Sequence, residues 1–480
     1  MSWKAPKLPE IAYLPKETNL WAGLGLQHGI ILLEEGDQKK DFAAKDALFK
    51  ALARKASDFS KLASDPLVVD FEGALLSFVL LSQESSFERR AVLAKACAPI
   101  LVEHPKQLAI SSVSCLPEVF FEDALYTVLV NGVTLPSRKK ETSQVLDKVL
   151  IAEGYAPDFA RACALGNLFV RSIVSLPSNE SDTQAMREIV AQVAEEKGWE
   201  LEVFDEKRLQ ELGAGAFLAV AKGAHNPYSA IVRLGYRKGE KKRFALVGKG
   251  ICFDTGGYNL KTAKYMQHMH EDKTGAAVVL GILAAMDELG WPFAVDGWLA
   301  LTQNEISADA YRPQDVVKAM DGTSIEVIHT DAEGRMVLAD TLVLAAQQKP
   351  EFIIDYATLT GACMVALGAQ YSGLFSNDLT MAQTFMDEAK KAGERLWLFP
   401  YDKDYDKLLE SRIADIKQCT LEGGADHILA ARFLGRFVGA IPWAHVDLSA
   451  SRSEGGLGAV TDEVTGFGVA ATLAFLKSAV

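Results

Sequence analysis

Seven ionisable residues stand among apolar and glycine-rich segments between Val247 and Arg335: Lys249, Asp254, Lys261, Asp272, Asp331, Glu333 and Arg335. They lie in the strings VGKGICFDTGG, NLKTAKYMQHMHEDKTGAA and HTDAEGRMVLAD, beside residues that otherwise read as core. A lone carboxylate or ammonium is costly to bury and persists only when paired or bound to a metal. Four carboxylates, two lysines and an arginine are reconciled by one centre carrying about two divalent cations.

Each residue has a plainer reading when taken alone. Lys249 within FALVGKGICF suits an edge strand whose lysine reaches water along its own stem. Asp254 before Thr255-Gly256-Gly257 suits a turn, although two glycines also permit close approach to a ligand. Asp272 ahead of TGAAVVLGILAAM suits a helix N-terminal carboxylate. The hairpin says more. Val316–Met320 and Ser324–Thr330 flank the turn signal Asp321-Gly322, and the second strand runs into Asp331-Ala332-Glu333. In extended chain, residues i and i+2 project to one side, so Asp331 and Glu333 share a ligand. Without a cation the two would repel and one would stay protonated. Gly334 then turns the chain and Arg335 opens the helix MVLADTLVLAA, where free amides plus a guanidinium make a small-anion site.

The donor set is oxygen-rich, with one lysine amine and no histidine. It suits Mn²⁺, Zn²⁺ or Mg²⁺ in a carboxylate-bridged pair better than a structural zinc. Two metals about 3.5–4 Å apart lower the pKa of a shared water and polarise a carbonyl, which is equipment for hydrolysing an amide. His268 and His270, flanking Met269, read as a solvated or hydrogen-bonded pair rather than as ligands.

The elements that must position these residues follow from the apolar pattern. From Thr183 onward, helix Thr183–Lys197 precedes strands Leu201–Phe204, Ser229–Leu234 and Phe244–Cys252. Helix Gly275–Leu289, strand Ala294–Leu301, the hairpin, helix Met336–Gln348 and strands Phe352–Tyr356 and Trp443–Leu448 follow. Strands separated by helices predict a mixed, largely parallel sheet sandwiched by helices, with ligands beyond the carboxyl ends of its strands. The first part alternates strands (Leu67–Phe71, Gln107–Ser111, Leu125–Asn131) with helices (Phe42–Leu62, Phe87–Ala98), a smaller α/β domain without a catalytic cluster. A turn at Gly154–Pro157 leads to helix Asp158–Ile173, and SLPSNESDT (175–183) marks a boundary. The expected division is 1–155 for the N-terminal α/β domain, 156–182 for a helical linker and 183–480 for the C-terminal domain carrying the metal site.

Bulk properties narrow the function. A length of 480 residues is more than one ordinary core, and 49% apolar with 24% charged residues is the balance of a soluble globular protein. A formal net charge of −13 makes nucleic acid an unexpected partner. The densest basic run (Arg237, Lys238, Lys241, Lys242, Arg243) reads as a solvated turn. No apolar run reaches about 18 residues, so no membrane span is expected. The opening MSWKAPKLPEIAYLPKE lacks the apolar core of a secretory signal. Six cysteines without CxxC spacing suggest reduced, mostly buried thiols, and a cytoplasmic location is the simplest fit.

These strings resemble the leucine aminopeptidase (cytosol aminopeptidase) family of dinuclear metallopeptidases. The family signature, usually NTDAEGR, stands here as HTDAEGR (329–335). VGKG (247–250), FDTGG (253–257), the stretch from Lys261 to Asp272, ATLTGA (357–362), WAHVDL (443–448) and TGFGV (465–469) match as well. The resemblance covers the whole C-terminal domain and is highly specific. It implies that Lys249, Asp254, Asp272 and Glu333 hold the tighter metal, and that Asp254, Asp331 and Glu333 hold the other. Lys261 would polarise the scissile carbonyl, and Arg335 would hold a bicarbonate ion acting as general base. Met269, Thr358, Gly361 and Ala450 would line the pocket for the first residue's side chain. Substrates would be peptides with a free N-terminus, and the assembly a homohexamer. Two departures stand out: His329 replaces the usual Asn and could brace the loop or sensitise it to pH, and Thr262 replaces a frequent Pro. The competing class is a non-catalytic binding or scaffold protein on the same fold, including a DNA binder, and a third is another metal-dependent amide or dipeptide hydrolase. Inactive relatives generally lose metal ligands, and all the expected positions are intact here.

Overall fold

Two β-sheets organise the chain in the computed structural model, which describes residues 3–14, 26–140, 145–239 and 243–478. The first holds β1 (Glu10–Tyr13), β2 (His28–Leu33), β3 (Leu67–Phe71), β4 (Ala74–Leu80), β5 (Gln107–Ser112) and β6 (Lys148–Ile151), in the order β1-β6-β5-β2-β4-β3. Its pairs are parallel except β3–β4. The larger sheet is built from β7 (Glu200–Asp205), β8 (Ala230–Arg237), β9 (Arg243–Asp254) and β10 (Ala294–Asn304). A small side sheet takes β11 (Val316–Lys318) and β12 (Ser324–Glu326), while β13 (Ile353–Ala357), β14 (Ser372–Ser376) and β15 (Leu396–Leu398) return to the large one. Finally β16 (Ile416–Lys417) joins the side sheet and β17 (Trp443–Asp447) the large one, whose order is β15-β14-β17-β13-β9-β10-β8-β7. Its central strands β17, β13, β9 and β10 run parallel, and antiparallel pairs β8–β10, β7–β8 and β14–β17 flank them. The mixed, largely parallel sheet is as expected.

Side-chain alternation along these strands divides the interior into two layers. Phe244, Leu246, Ile354 and Tyr356 point to a core shared with helices Asp158–Val174, Thr274–Leu289 and Val469–Ser478. Ala245, Val247, Ile353 and Ala357 point to the opposite core, filled by helices Gly215–Ala221, Glu333–Gln347 and Asp426–Leu434. The first core also takes in Ile30, Leu32, Phe120 and Phe121 from the N-terminal sheet and its helices, so apolar packing is continuous across the two domains. The N-terminal sheet covers its other face with a third cluster around Leu48, Leu76 and Phe78.

Several elements differ from the sequence reading. Leu125–Asn131 is the end of helix Glu118–Asn131, not a strand. A short run of Leu, Val and Tyr fits a buried helix as well as a strand, and periodicity cannot separate them. The helix expected over Phe42–Leu62 stops at Arg54. Asp58 recaps the chain, its carboxylate accepting from Ser60 N and Lys61 N to open a 3-10 turn at Phe59–Ala63. Lys249 lies on a central strand rather than an edge. The hairpin ladder spans Val316–Lys318 and Ser324–Glu326, and backbone bonds continue it from Ala319 N to Thr323 O and between Val327 and Gln314 and Asp315. A three-residue loop, Met320 to Gly322, therefore closes it instead of a two-residue turn. Of the basic run, Lys241 and Lys242 fall outside the described residues; Arg237 pairs with Asp296 and Lys238 with Asp287. Five of the six free cysteines are buried and Cys115 is exposed. No helix among the described residues is long and apolar enough to cross a membrane.

Candidate metal centre

The carboxyl ends of β9, β10 and β13 converge, and each delivers a polar residue. Asp254 is the last residue of β9. A register slip between Thr302 and Asn304 sets Asn304 opposite Asp254, and Asn304 Nδ2 donates to Asp254 Oδ1 at 2.8 Å. Gly256 and Gly257 then turn the chain at φ +87° and +64°, a left-handed backbone that side chains oppose, and Gly256 N donates to Asp254 Oδ1 at 2.8 Å. That turn is laced to the next one. Thr330 Oγ1 donates to Gly256 O at 2.6 Å, and Asn259 Oδ1 accepts Thr330 N at 2.8 Å. Asp272 follows a 3-10 turn (Met269–Glu271) just before helix Thr274–Leu289.

Asp331 and Glu333 arrive differently from the extended arrangement expected. Ala332 N donates to His329 O at 3.1 Å, so residues 329–332 form a turn, and Glu333 is already the first residue of helix Glu333–Gln347. Gly334 is therefore helical rather than the turn residue. A Cβ there would lie 2.6 Å from Lys249 Cε, so its small size makes room for the lysine.

The sequence-predicted ionisable groups meet in two linked pairs of contacts. Lys249 Nζ lies 2.9 Å from Asp272 Oδ2, 2.8 Å from Glu333 Oε1 and 2.9 Å from Thr358 O. Lys261 Nζ lies 2.9 Å from Asp254 Oδ2 and also contacts Asp331 Oδ1. Asp254, Asp272 and Glu333 offer carboxylate oxygens all within 4.8 Å of one another, and all three residues are buried. Glu333 Oε2 is buried and accepts no hydrogen bond.

Electrostatics at this centre are unbalanced. Four carboxylates face two ammoniums, leaving two formal negative charges. Burial pushes the Asp254, Asp272 and Asp331 carboxyls above the usual range, reinforced by their acidic neighbours and only partly offset by the lysines. Glu333 is held below its ordinary value: burial raises it, but Lys249 and Lys261 prevail. Lys249 keeps its proton despite complete burial because Asp272, Glu333 and Asp254 surround it. A buried set of hard oxygen donors with surplus negative charge and an unused carboxylate oxygen fits divalent cations. Lys249, Asp254, Asp272, Asp331 and Glu333 are the residues that could hold them.

Arg335 is buried in the first turn of the helix. Its Nη1 donates to Gln418 O at 3.0 Å, and its Nη2 sits 3.0 and 2.9 Å from the two Asp426 carboxylate oxygens. Its Nε is buried without a partner. His329 Nδ1 accepts Asp331 N at 3.3 Å, so the imidazole braces the acidic turn as an acceptor, and burial lowers its pKa. His268 is half exposed and His270 less so, and both lie near Glu271.

Of the expected pocket residues, Thr358 is closest to the chemistry: its hydroxyl donates to Asp272 Oδ1 at 2.6 Å. Gly361, exposed, opens helix Gly361–Leu367; Met269 is half-buried at the start of its 3-10 turn; Ala450 is buried beyond β17. Sequence reasoning missed the supports. Asn304 is the polar end of an apolar strand, a faint signal. Gln418, which accepts Ile328 N and His329 N and donates to Ala332 O, has no local motif, and neither has Asp426. Asp447 accepts Leu359 N, Thr360 N and the Thr360 hydroxyl, holding the 358–361 segment in place.

With this geometry, the chain belongs to the cytosol aminopeptidase family, whose catalytic domain matches residues 168–473. It is 42% identical over 311 residues to a probable cytosol aminopeptidase of Chlorobaculum tepidum, covering 64% of this chain and 61% of that protein. A counterpart in Aquifex aeolicus is 40% identical over 347 residues, covering 71% and 70%. The chain thus matches about three-fifths of the length of the first of these curated relatives. Among solved structures, a mutant of tomato leucine aminopeptidase superposes with a TM-score of 0.86 at 26% identity, covering 99% of this chain and 98% of that one. The bottromycin maturation enzyme BotP gives 0.83 at 28% identity over 95% and 99%, and BotP is also known in complex with Mn.

Proposed function

We propose that this chain is a dinuclear metal-dependent aminopeptidase that removes the N-terminal residue, leucine-type with broad tolerance, from peptides. The observation that carries this reading is the surplus of buried carboxylates around Lys249 and Lys261 in a chain of this family. Lys249, Asp254, Asp272, Asp331 and Glu333 are the residues that would hold two ions, Mn²⁺, Zn²⁺ or Mg²⁺, and the Mn complex of BotP favours the first. When bound, such ions supply Lewis acidity toward an amide carbonyl and a water of lowered pKa.

The chain's own residues supply the rest. Lys261, held between Asp254 and Asp331, brings a charged donor to the point where negative charge develops on the carbonyl oxygen. Arg335 is fixed in orientation by Asp426 and Gln418 O, and its free Nε leaves one donor for a small anion such as bicarbonate, which would carry the proton. Thr358 orients Asp272, and with Met269, Gly361 and Ala450 would receive the first side chain. The division at 155 and 182, a homohexamer and a cytoplasmic location belong to the same proposal. Turnover of an aminoacyl anilide with added Mn²⁺ tests it. Activity that is lost in Asp331→Ala supports the reading; a chain inert toward an aminoacyl panel with Mn²⁺, Zn²⁺, Mg²⁺ and Co²⁺ overturns it.

A further inference from the structure

The segment after β17 leaves the centre, runs out to the N-terminal domain and returns. At its base Ala450 is buried, with its O accepting from Thr465 Oγ1 at 2.7 Å. The two arms pair with each other: Ser453 N donates to Glu463 O at 2.8 Å, Thr465 N to Ser451 O at 3.0 Å, and Leu457 N to Val460 O at 2.8 Å. Residues 450–465 are therefore a braced hairpin-like loop.

Its far part is gripped from outside the catalytic sheet. Asn131, at the end of helix Glu118–Asn131, donates from Nδ2 to Ala459 O at 2.7 Å, and its Oδ1 accepts Thr461 N at 3.1 Å and the Thr461 hydroxyl at 2.9 Å. On helix Asp158–Val174, Arg171 faces Asp462 at 3.7 Å and Asn167 Nδ2 donates to Thr465 O at 2.8 Å. Near the base Arg452 does the opposite, reaching toward the centre. One arm of its guanidinium contacts Glu271 and the other Glu463. Glu271 ends the 3-10 turn that Met269 begins, and Asp272 follows it.

We propose that loop 450–465 is a strut by which the N-terminal domain sets the substrate side-chain pocket, with Arg452 as the positioning residue that ties the strut to the Met269–Glu271 turn. The pocket and its substrate rest on the aminopeptidase reading, and the mechanics on the contacts of Arg452, Asn131, Asn167 and Arg171. Arg452 touches neither the proposed ions nor the reacting bond. It fixes the spacing between Ala450 on one wall and Met269 on the other, which decides how well a bulky first residue is accommodated.

The test compares Arg452→Met, Arg452→Lys, Asn131→Ala and the Arg452→Met/Asn131→Ala double variant on a panel of aminoacyl anilides, with amide hydrogen exchange followed on the same proteins. Losing one such bond set is expected to raise KM for bulky N-terminal residues about fivefold, with kcat held within about twofold. Small residues such as Ala respond less, Arg452→Lys recovers part of the loss, and the double variant is no worse than the poorer single one because both act through one strut. Exchange in Asn131→Ala quickens over 450–465 and over 269–271. Unchanged KM ratios across the panel in both single variants, with an active wild type, overturn the proposal. So does a uniform fall in kcat for every substrate, or exchange at 269–271 indifferent to Asn131→Ala. The exchange arm reads the strut even if the wild type cleaves none of the panel, an outcome that instead removes the aminopeptidase reading.

Discussion

The two sheets of this protein bury charge in opposite ways. In the N-terminal domain, Asp37 accepts Glu34 N at 2.9 Å and meets Lys40 at 3.0 Å, while Asp123 is shared by Arg89 at 2.8 Å and Arg90 at 2.7 Å. Each buried carboxylate there has at least one cation of its own. At the carboxyl ends of the catalytic sheet, four carboxylates share two lysines, and the nearby arginine is taken up by Asp426. Both arrangements set buried carboxylates beside cations on α/β frameworks. Balance marks a structural pair, and a deficit of cations marks a place prepared for something bound from outside.

The sharpest way to break this contrast is to remove a carboxylate from each side. Glu333→Ala is expected to cut kcat/KM on the order of 10³-fold or more, while the purified metal-free variant still unfolds cooperatively. Asp123→Ala should cost about 3–5 kcal/mol of stability, because two buried arginines lose their partner. At temperatures where that variant stays folded, its kcat should match the wild type. Denaturant unfolding beside steady-state kinetics checks both, and the contrast fails if Asp123→Ala abolishes turnover in folded protein.

A smaller effect has the reverse sign. The Asp331 carboxyl is held above the usual aspartate range by burial, then by Asp254 and Glu333. A raised folded-state pKa means that its stabilising contribution is present in acid and is lost as pH climbs past the ordinary aspartate value toward the folded one. Asp331→Asn should therefore raise the melting temperature of the metal-free chain near neutral pH by about 2–4 °C, and by less in acid. A lower melting temperature at neutral pH would mean that the cluster is balanced as it stands.

The smallest expected effect lies at Glu394, beside Arg90 of the N-terminal cluster. Glu394 accepts Gly468 N and Ala471 N at the start of helix Val469–Ser478, and burial pushes its carboxyl up to about 7. By the same sign, its contribution declines as pH rises from the ordinary glutamate range through about 7. Glu394→Gln keeps an acceptor for both amides, so thermal melts between pH 5 and 8 should show a flatter profile and little change in acid.

How far the sequence revealed this depends on whether the signal is local. Helix Thr183–Lys197 was legible to the residue because Asp182 caps one end and Gly198, left-handed, ends the other. The seven ionisable residues were legible because charge inside apolar strings demands a partner, whichever element carries it. The path from Asp331 to Glu333 was misread as extended because the deciding contact is held by Gln418, nearly ninety residues downstream. Leu125–Asn131 fails for the complementary reason: all of it but the terminal Asn131 is buried in a helix, and full burial erases periodicity. Asp426, which occupies the Arg335 guanidinium, left no trace in any string near it.

Titrating the metal-free chain with Mn²⁺ by calorimetry, in buffers of different ionisation enthalpy, goes most directly to the central claim. A centre short of cations should take up about two ions per chain and release protons, from Lys249 and the raised carboxyls, so that affinity rises with pH. Both ions should be lost or greatly weakened in Asp254→Asn and Glu333→Gln. Absence of binding, or binding that those two substitutions leave intact, would contradict it.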